Sequence, residues 1–143
     1  MKNILVAIDF EEKPEQLIDY AASFAHKFDA HLWILHIAAP DPDFVGYEPG
    51  PQYIRDIRAE DLRDEHRFIQ DRAKKLQDTG INAEGLLLQG ETVKTILAEV
   101  DKLSSDLLII GSHEHSFFYN LFAENTALEI FKRVKTPLLT VPL

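Results

Sequence analysis

Short runs of consecutive apolar residues alternate along the chain with longer stretches in which apolar positions recur every three or four residues. Residues 4–8, Ile-Leu-Val-Ala-Ile, form the first run, and Asp9 ends it; a strand covered on both faces of a parallel sheet has this pattern. Pro14 suits the first turn of a helix, after which Leu17, Ala21, Phe24 and Phe28 mark one stripe at steps of four, three and four. Residues 32–37 repeat the strand pattern. Residues 39–53 hold Pro40, Pro42, Pro49 and Pro51, four of the chain's seven prolines, and read as a loop.

From 55 to 79 the charge is dense and of both signs, with Leu62, Ile69, Ala73 and Leu76 on one helical face beside His66, which predicts a long helix with a solvated side. Gly80 stops it. Residues 83–89 give a third strand, Gly90 turns the chain, and Val93, Ile96, Leu97, Val100 and Leu103 stripe another helix. The fourth strand is expected at 106–111 and the last at 137–141. Between them, Ala127, Ile130, Phe131 and Val134 share a face within 123–134. Regular strand–helix alternation requires right-handed crossovers, so it implies an α/β domain: a mostly parallel sheet with helices on both faces. No linker interrupts residues 1–143, which read as one domain. Ligands in such sheets bind beyond the carboxyl ends of the strands, which directs attention to Asp9, His36, Gly90 and residues 111–115.

Composition narrows the function. The 143 residues are 45% apolar and 27% charged with a net charge of -9, a surface that repels nucleic acid and anionic lipid. Cysteine is absent, which removes disulfides, thiolate metal sites and thiol nucleophiles and fits a reducing compartment. The apolar run after Met1 is too short for a signal-peptide core or a membrane span. The expectation is a cytoplasmic protein that engages neither membrane nor nucleic acid.

Asp9 can accept hydrogen bonds from a ligand amine or hydroxyl, or cap its own turn. With Glu11 and Glu12 it suggests the acidic site of a receiver domain, but the third strand ends at Gln89-Gly90 with no acceptor Asp, and the last ends at Pro142-Leu143 with no Lys. His36, His113 and His115, with Asp9, are residue types that a divalent ion prefers, and a metal-dependent hydrolase would use them. Histidines two apart share a side only in extended chain, so a solvated loop and a hydrogen-bonded strand-end His are expected instead, with no metal. Phe117, Phe118, Tyr119 and Phe122 either fold over the crevice or join a subunit contact. The loop with Phe44, Tyr47 and Tyr53 has the makings of a lid. His26 and His31 are expected at the surface, His66 packed, and Trp33 in the core. Nucleophile elbows, lysine-bearing phosphate loops and dinucleotide fingerprints are all missing, so no enzyme activity is expected.

Several segments taken together, Ile4 to Asp9, Leu35-His36-Ile37, Gly90, Asp106 to Ser112 and Pro137-Leu138-Leu139-Thr140-Val141-Pro142, give the chain a resemblance to the universal stress protein family over essentially its full length. The resemblance implies a Rossmann-like fold with a five-stranded parallel sheet in the order 3-2-1-4-5. It implies Asp9, Ile37, Gly111, Ser112, Asn125 and Thr126 as the ligand-binding residues, if binding is retained. Nucleotide-binding members carry Gly-x-x-Gly after the fourth strand, then nine residues and Gly-Ser or Gly-Thr. Here Gly111 alone matches; Glu114 and Glu124 replace the later glycines, and Asn125 the hydroxyl residue. Each carboxylate at ~5 Å from a phosphate charge costs on the order of 3 kcal/mol before screening, so ATP binding is expected to be weak or absent and no cofactor is required. Glu124 also suits a helix N-terminus, and Thr126 with Glu129 matches the spacing of a capping box.

The function so implied is that of a cytosolic stress-adaptation protein with a degenerate nucleotide site, acting as a dimeric interaction module for a protein partner still to be named. The alternative is a binder of adenosine, AMP or another small molecule at the strand-end crevice. In the implied order the last strand is an edge, short and uncharged, and relatives often dimerise there; Leu138, Leu139 and Val141 are expected to meet their own copies.

Overall fold

The run at 4–8 occupies the middle of the sheet. In the computed structural model, which describes residues 1–11, 13–38, 52–112 and 126–143, β1 (Asn3–Ile8) lies between β2 (His31–Ala38) and β4 (Leu107–Ser112). β3 (Ala83–Gln89) flanks β2 and β5 (Leu138–Pro142) flanks β4, giving five strands in the order β3-β2-β1-β4-β5, every pair parallel. The described helices are α1 (Pro14–Phe28), α2 (Gln52–Asp78), α3 (Thr92–Lys102) and α4 (Thr126–Arg133). This is the expected Rossmann-like α/β domain, strand order included.

The two-residue period of each strand divides its apolar side chains between two cores. Ile4, Val6, Leu32, Ile34, Ile109 and Val141 pack beneath α1 and α2, while Leu5, Leu35, Ile37, Leu108 and Ile110 pack beneath α3 and α4. Full burial of Leu, Ile and Val on both faces, at about 1.5–3 kcal/mol each, explains why the strands read as unbroken apolar runs. Asp106, just before β4, accepts hydrogen bonds from the backbone N–H groups of Lys2 (2.6 Å) and Asn3 (2.9 Å), and those two donors hold its carboxyl below the usual carboxylate range. That pair fixes where β1 enters the sheet. Glu91 caps α3, accepting from the N–H groups of Val93 (3.0 Å) and Lys94 (2.9 Å).

α2 lies so close to β3 that a Cβ on Gly85 would collide with the side chain of Ile69 and stand 3.1 Å from the Ile69 carbonyl oxygen. The same helix closes the outer edge of β3: Gln77 and Gln70 donate from Nε2 to the carbonyls of Ala83 (2.6 Å) and Gly85 (2.9 Å). α2 begins at Gln52, so Tyr53, expected in the loop, is helical and 65% exposed.

Four side chains depart from the sequence expectation. Phe28 and Phe131 fall on the apolar stripes by spacing, yet each lies at the end of its helix and is at least half exposed, at 50% and 68%. His66 is exposed, with Nε2 3.4 Å from Nε2 of Gln70, one turn further along the face of α2 that borders the edge of β3. His31 is half-buried, its ring tilted by 31° against that of Trp33 at 4.1 Å between centroids. A surface expectation failed there because residues two apart on β2 project to the same face of the sheet, which brings the His31 ring against Trp33. Among the described residues no helix is long and apolar enough to cross a membrane.

Candidate functional site

β1 is the strand from which the chain order runs outward in both directions, and a crevice of about 410 Å³ opens beyond its carboxyl end. Asp9, His36, Ile37, Gly111 and Thr126, all named from the sequence, line it. Ser112 ends β4 without lining the crevice; its carbonyl accepts the N–H of Leu143 at 3.0 Å. Asn125, Glu114, Glu124, His113, His115, Phe117, Phe118, Tyr119 and Phe122 lie outside the described residues, as do Phe44 and Tyr47.

Asp9 serves its own turn, with Oδ1 accepting the Glu11 N–H at 3.0 Å, and the carboxylate remains exposed at the rim. Ladder pairing of β1 with β2 ends at Ile8 and His36, so the backbone of Ile37 reaches the crevice where β1 has left the sheet. His36 sits on the floor. Its Nδ1 lies 3.0 Å from the Ile8 carbonyl oxygen, which can only accept, so Nδ1 carries the proton. Nε2 is 3.5 Å from a carboxylate oxygen of Glu65, and the ring meets Phe10 edge-on at 4.6 Å. The strand-end His is thus hydrogen-bonded, and His36 with the described carboxylates makes no cluster of three or more groups suited to a metal ion.

Gly111 lines the crevice with its backbone, but the space a side chain would take is filled by Leu143, 2.5 Å from an ideal Cβ, with Leu17 behind it. It is a close-packing glycine at the end of β4. Thr126 opens α4, and Glu129 pairs forward with Arg133 at 2.7 Å, so its carboxylate engages the last turn of the helix, contrary to the capping-box expectation.

α2 supplies what the sequence reading missed. Arg58, Asp61, Leu62 and Glu65 line the crevice from one face of this helix. Their spacing of three, one and three was a usable signal, since 58, 61, 62 and 65 share a helical side. Reading that helix as solvent-facing hid it.

A doubly wound parallel sheet with an open crevice at its switch point defines an α/β domain of the kind that takes ligands beyond the strand ends. Residues 1–142 match the model of the Universal stress protein family, and the chain belongs to that family. It is similar to Universal stress protein C of Escherichia coli (strain K12), 30% identical over 142 residues that cover 99% of this chain and 95% of that protein. Among solved structures, a universal stress protein family member from Burkholderia pseudomallei superposes with a TM-score of 0.72 at 20% identity, covering 99% of this chain and 96% of that one. The universal stress protein of Archaeoglobus fulgidus in complex with dAMP gives 0.67 at 16% identity, covering 98% and 97%.

Proposed function

We propose that this protein is a cytosolic, non-catalytic member of its family that binds an adenine nucleoside or monophosphate, adenosine or AMP, in the strand-end crevice. It holds ATP weakly and acts in stress adaptation as a homodimer. The observation that carries this reading is the crevice itself: about 410 Å³ stands open between Asp9, Ile37 and Thr126, within the range of small-molecule sites. The dAMP complex of the Archaeoglobus relative lends support from the same fold. Glu114 and Glu124, in place of phosphate-facing glycines, argue against a triphosphate.

A second reading, an interaction module that binds no nucleotide and works through a protein partner, is favoured by one observation. Asp9, the carboxylate best placed for a ribose, already serves its own turn. Equilibrium titration with adenosine, AMP and ATP separates the two. Micromolar binding of adenosine or AMP, weakened by Asp9→Ala, supports the first; silence for all three supports the second. Replacing Glu114 and Glu124 by Gly and Asn125 by Ser is expected to raise ATP affinity more than adenosine affinity. Equal gains would place the obstruction elsewhere.

A further inference from the structure

α2 seals the outer edge of β3 only as far as Gly85. The Leu32 N–H donates to the Asn82 carbonyl and the Gly90 N–H to the Ala38 carbonyl, so even-numbered backbone groups along β3 turn toward β2 and odd-numbered ones turn outward. Of the outward groups, the carbonyls of Ala83 and Gly85 are taken by Gln77 and Gln70. The N–H and C=O groups of Leu87 and Gln89 have no partner among the described residues. Residues 85–89, Gly-Leu-Leu-Leu-Gln, carry neither charge nor proline, the usual deterrents to a further strand. Beside this open stretch, Leu62, Arg63, His66, Arg67 and Gln70 of α2 form a groove with Leu87. Arg63 is exposed and has no carboxylate partner among the described residues. Arg67 meets Asp64 at 3.4 Å with side chains 71% and 64% exposed, a pair worth little and easily exchanged. In a chain of net charge -9, two arginines one helical turn apart thus stand ready for carboxylates.

We propose that this open edge is a docking site for an extended acidic segment of a protein partner, which adds a strand beside β3 and sets alternate carboxylates on Arg63 and Arg67. A residue paired with Leu87 or Gln89 directs its side chain to the face that Leu87 shares with α2, where the arginines stand. The residues between point to the other face, beside half-buried Leu86 and Leu88. The pattern recognised is therefore acidic, apolar, acidic. A second copy of β3 fits less well, because two-fold pairing brings the same arginines together. The proposal is independent of what the crevice binds.

The test is titration of the end-blocked peptide Glu-Val-Glu-Val-Glu, read by calorimetry and by backbone amide NMR shifts, into the unaltered protein and the variants R63Q/R67Q and K132Q/K135Q. All four replaced side chains are exposed, and Lys132 and Lys135, on and just after α4, control for the loss of two positive charges elsewhere. The expected result is binding that shifts the amides of Leu87 and Gln89 and weakens as salt rises. R63Q/R67Q lowers the affinity by roughly five- to tenfold, and K132Q/K135Q changes it by less than about twofold. The same peptide N-methylated at its glutamates cannot donate to the edge carbonyls and binds more weakly. No binding of the acidic peptide, equal binding of its Lys-Val-Lys-Val-Lys or N-methylated counterpart, an affinity untouched by R63Q/R67Q, or shifts confined to β5 or the crevice would overturn the proposal. Sedimentation of the protein alone covers the remaining occupant: self-association that R63Q/R67Q abolishes would make it a second copy and overturn the assignment to an acidic partner.

Discussion

The side chain of His36, on β2, donates from Nδ1 to the backbone carbonyl of Ile8, the last residue of β1, across 3.0 Å. Two neighbouring strands are thereby pinned together at the floor of the crevice, under the edge of Phe10. His36→Phe keeps the ring packing and leaves that carbonyl without its imidazole donor, for a loss of about 1 kcal/mol. His36→Ala also opens a cavity, for roughly 2–3 kcal/mol. Urea unfolding of both variants checks the order; equal losses would mean that the hydrogen bond carries the whole effect.

Gly85 and Ile69 leave no room for a side chain on β3. Gly85→Ala is expected to destabilise the protein by about 1–3 kcal/mol, by driving α2 away from the sheet. Because α2 carries the crevice residues Arg58, Asp61 and Glu65, ligand affinity should fall with it. Ile69→Ala combined with Gly85→Ala should recover part of the loss relative to Ile69→Ala alone, since the methyl would enter vacated space. A double variant with strictly additive losses would rule out this contact as the cause.

The two edges of the sheet differ in a way that bears on assembly. Gln70 and Gln77 occupy edge carbonyls of β3. On β5, Leu108 donates to the Pro137 carbonyl and Leu143 to the Ser112 carbonyl, so odd-numbered residues face β4 and the backbone groups of Leu138 and Thr140 point outward. A two-fold antiparallel pairing centred on Leu139 would use them. Val141 is 6% exposed inside its own chain, so its side chain does not belong to such a contact as the sequence suggested. Thr140→Pro should yield monomers by sedimentation with little change in fold, because it removes an outward donor. Val141→Lys should instead unfold the chain by on the order of 3 kcal/mol or more. A dimer that survives Thr140→Pro and Leu139→Lys would place the interface elsewhere.

Acid should loosen the start of β1. The two N–H groups that Asp106 accepts favour its ionised form and lower its folded pKa. A carboxyl so depressed contributes stability above its unfolded pKa, and that contribution disappears as pH falls through the lower folded value. Asp106→Asn should therefore be less stable than the unaltered protein at neutral pH, with the difference shrinking toward strong acid. Denaturation midpoints followed against pH would show it; a constant difference across the range would mean that the carboxylate charge is not involved.

Periodicity alone determined the five strands, the helices between them and the division of each strand into two faces, because burial on both sides of a parallel sheet leaves a local, repetitive trace. Positions at strand ends, such as Asp9 and His36, were equally legible, since a polar residue closing an apolar run has no other place to go. Only the tertiary structure decided what those residues touch. His36 meets Ile8 and Glu65, 28 and 29 positions away, Gly111 makes room for Leu143, and the crevice wall comes from α2 through Asp61 and Glu65. Such contacts depend on how a helix is set down across strands distant in sequence, and spacing within one element carries no record of them. The same holds for Phe28 and Phe131, whose stripe positions matched buried neighbours but which stay exposed near the ends of their helices.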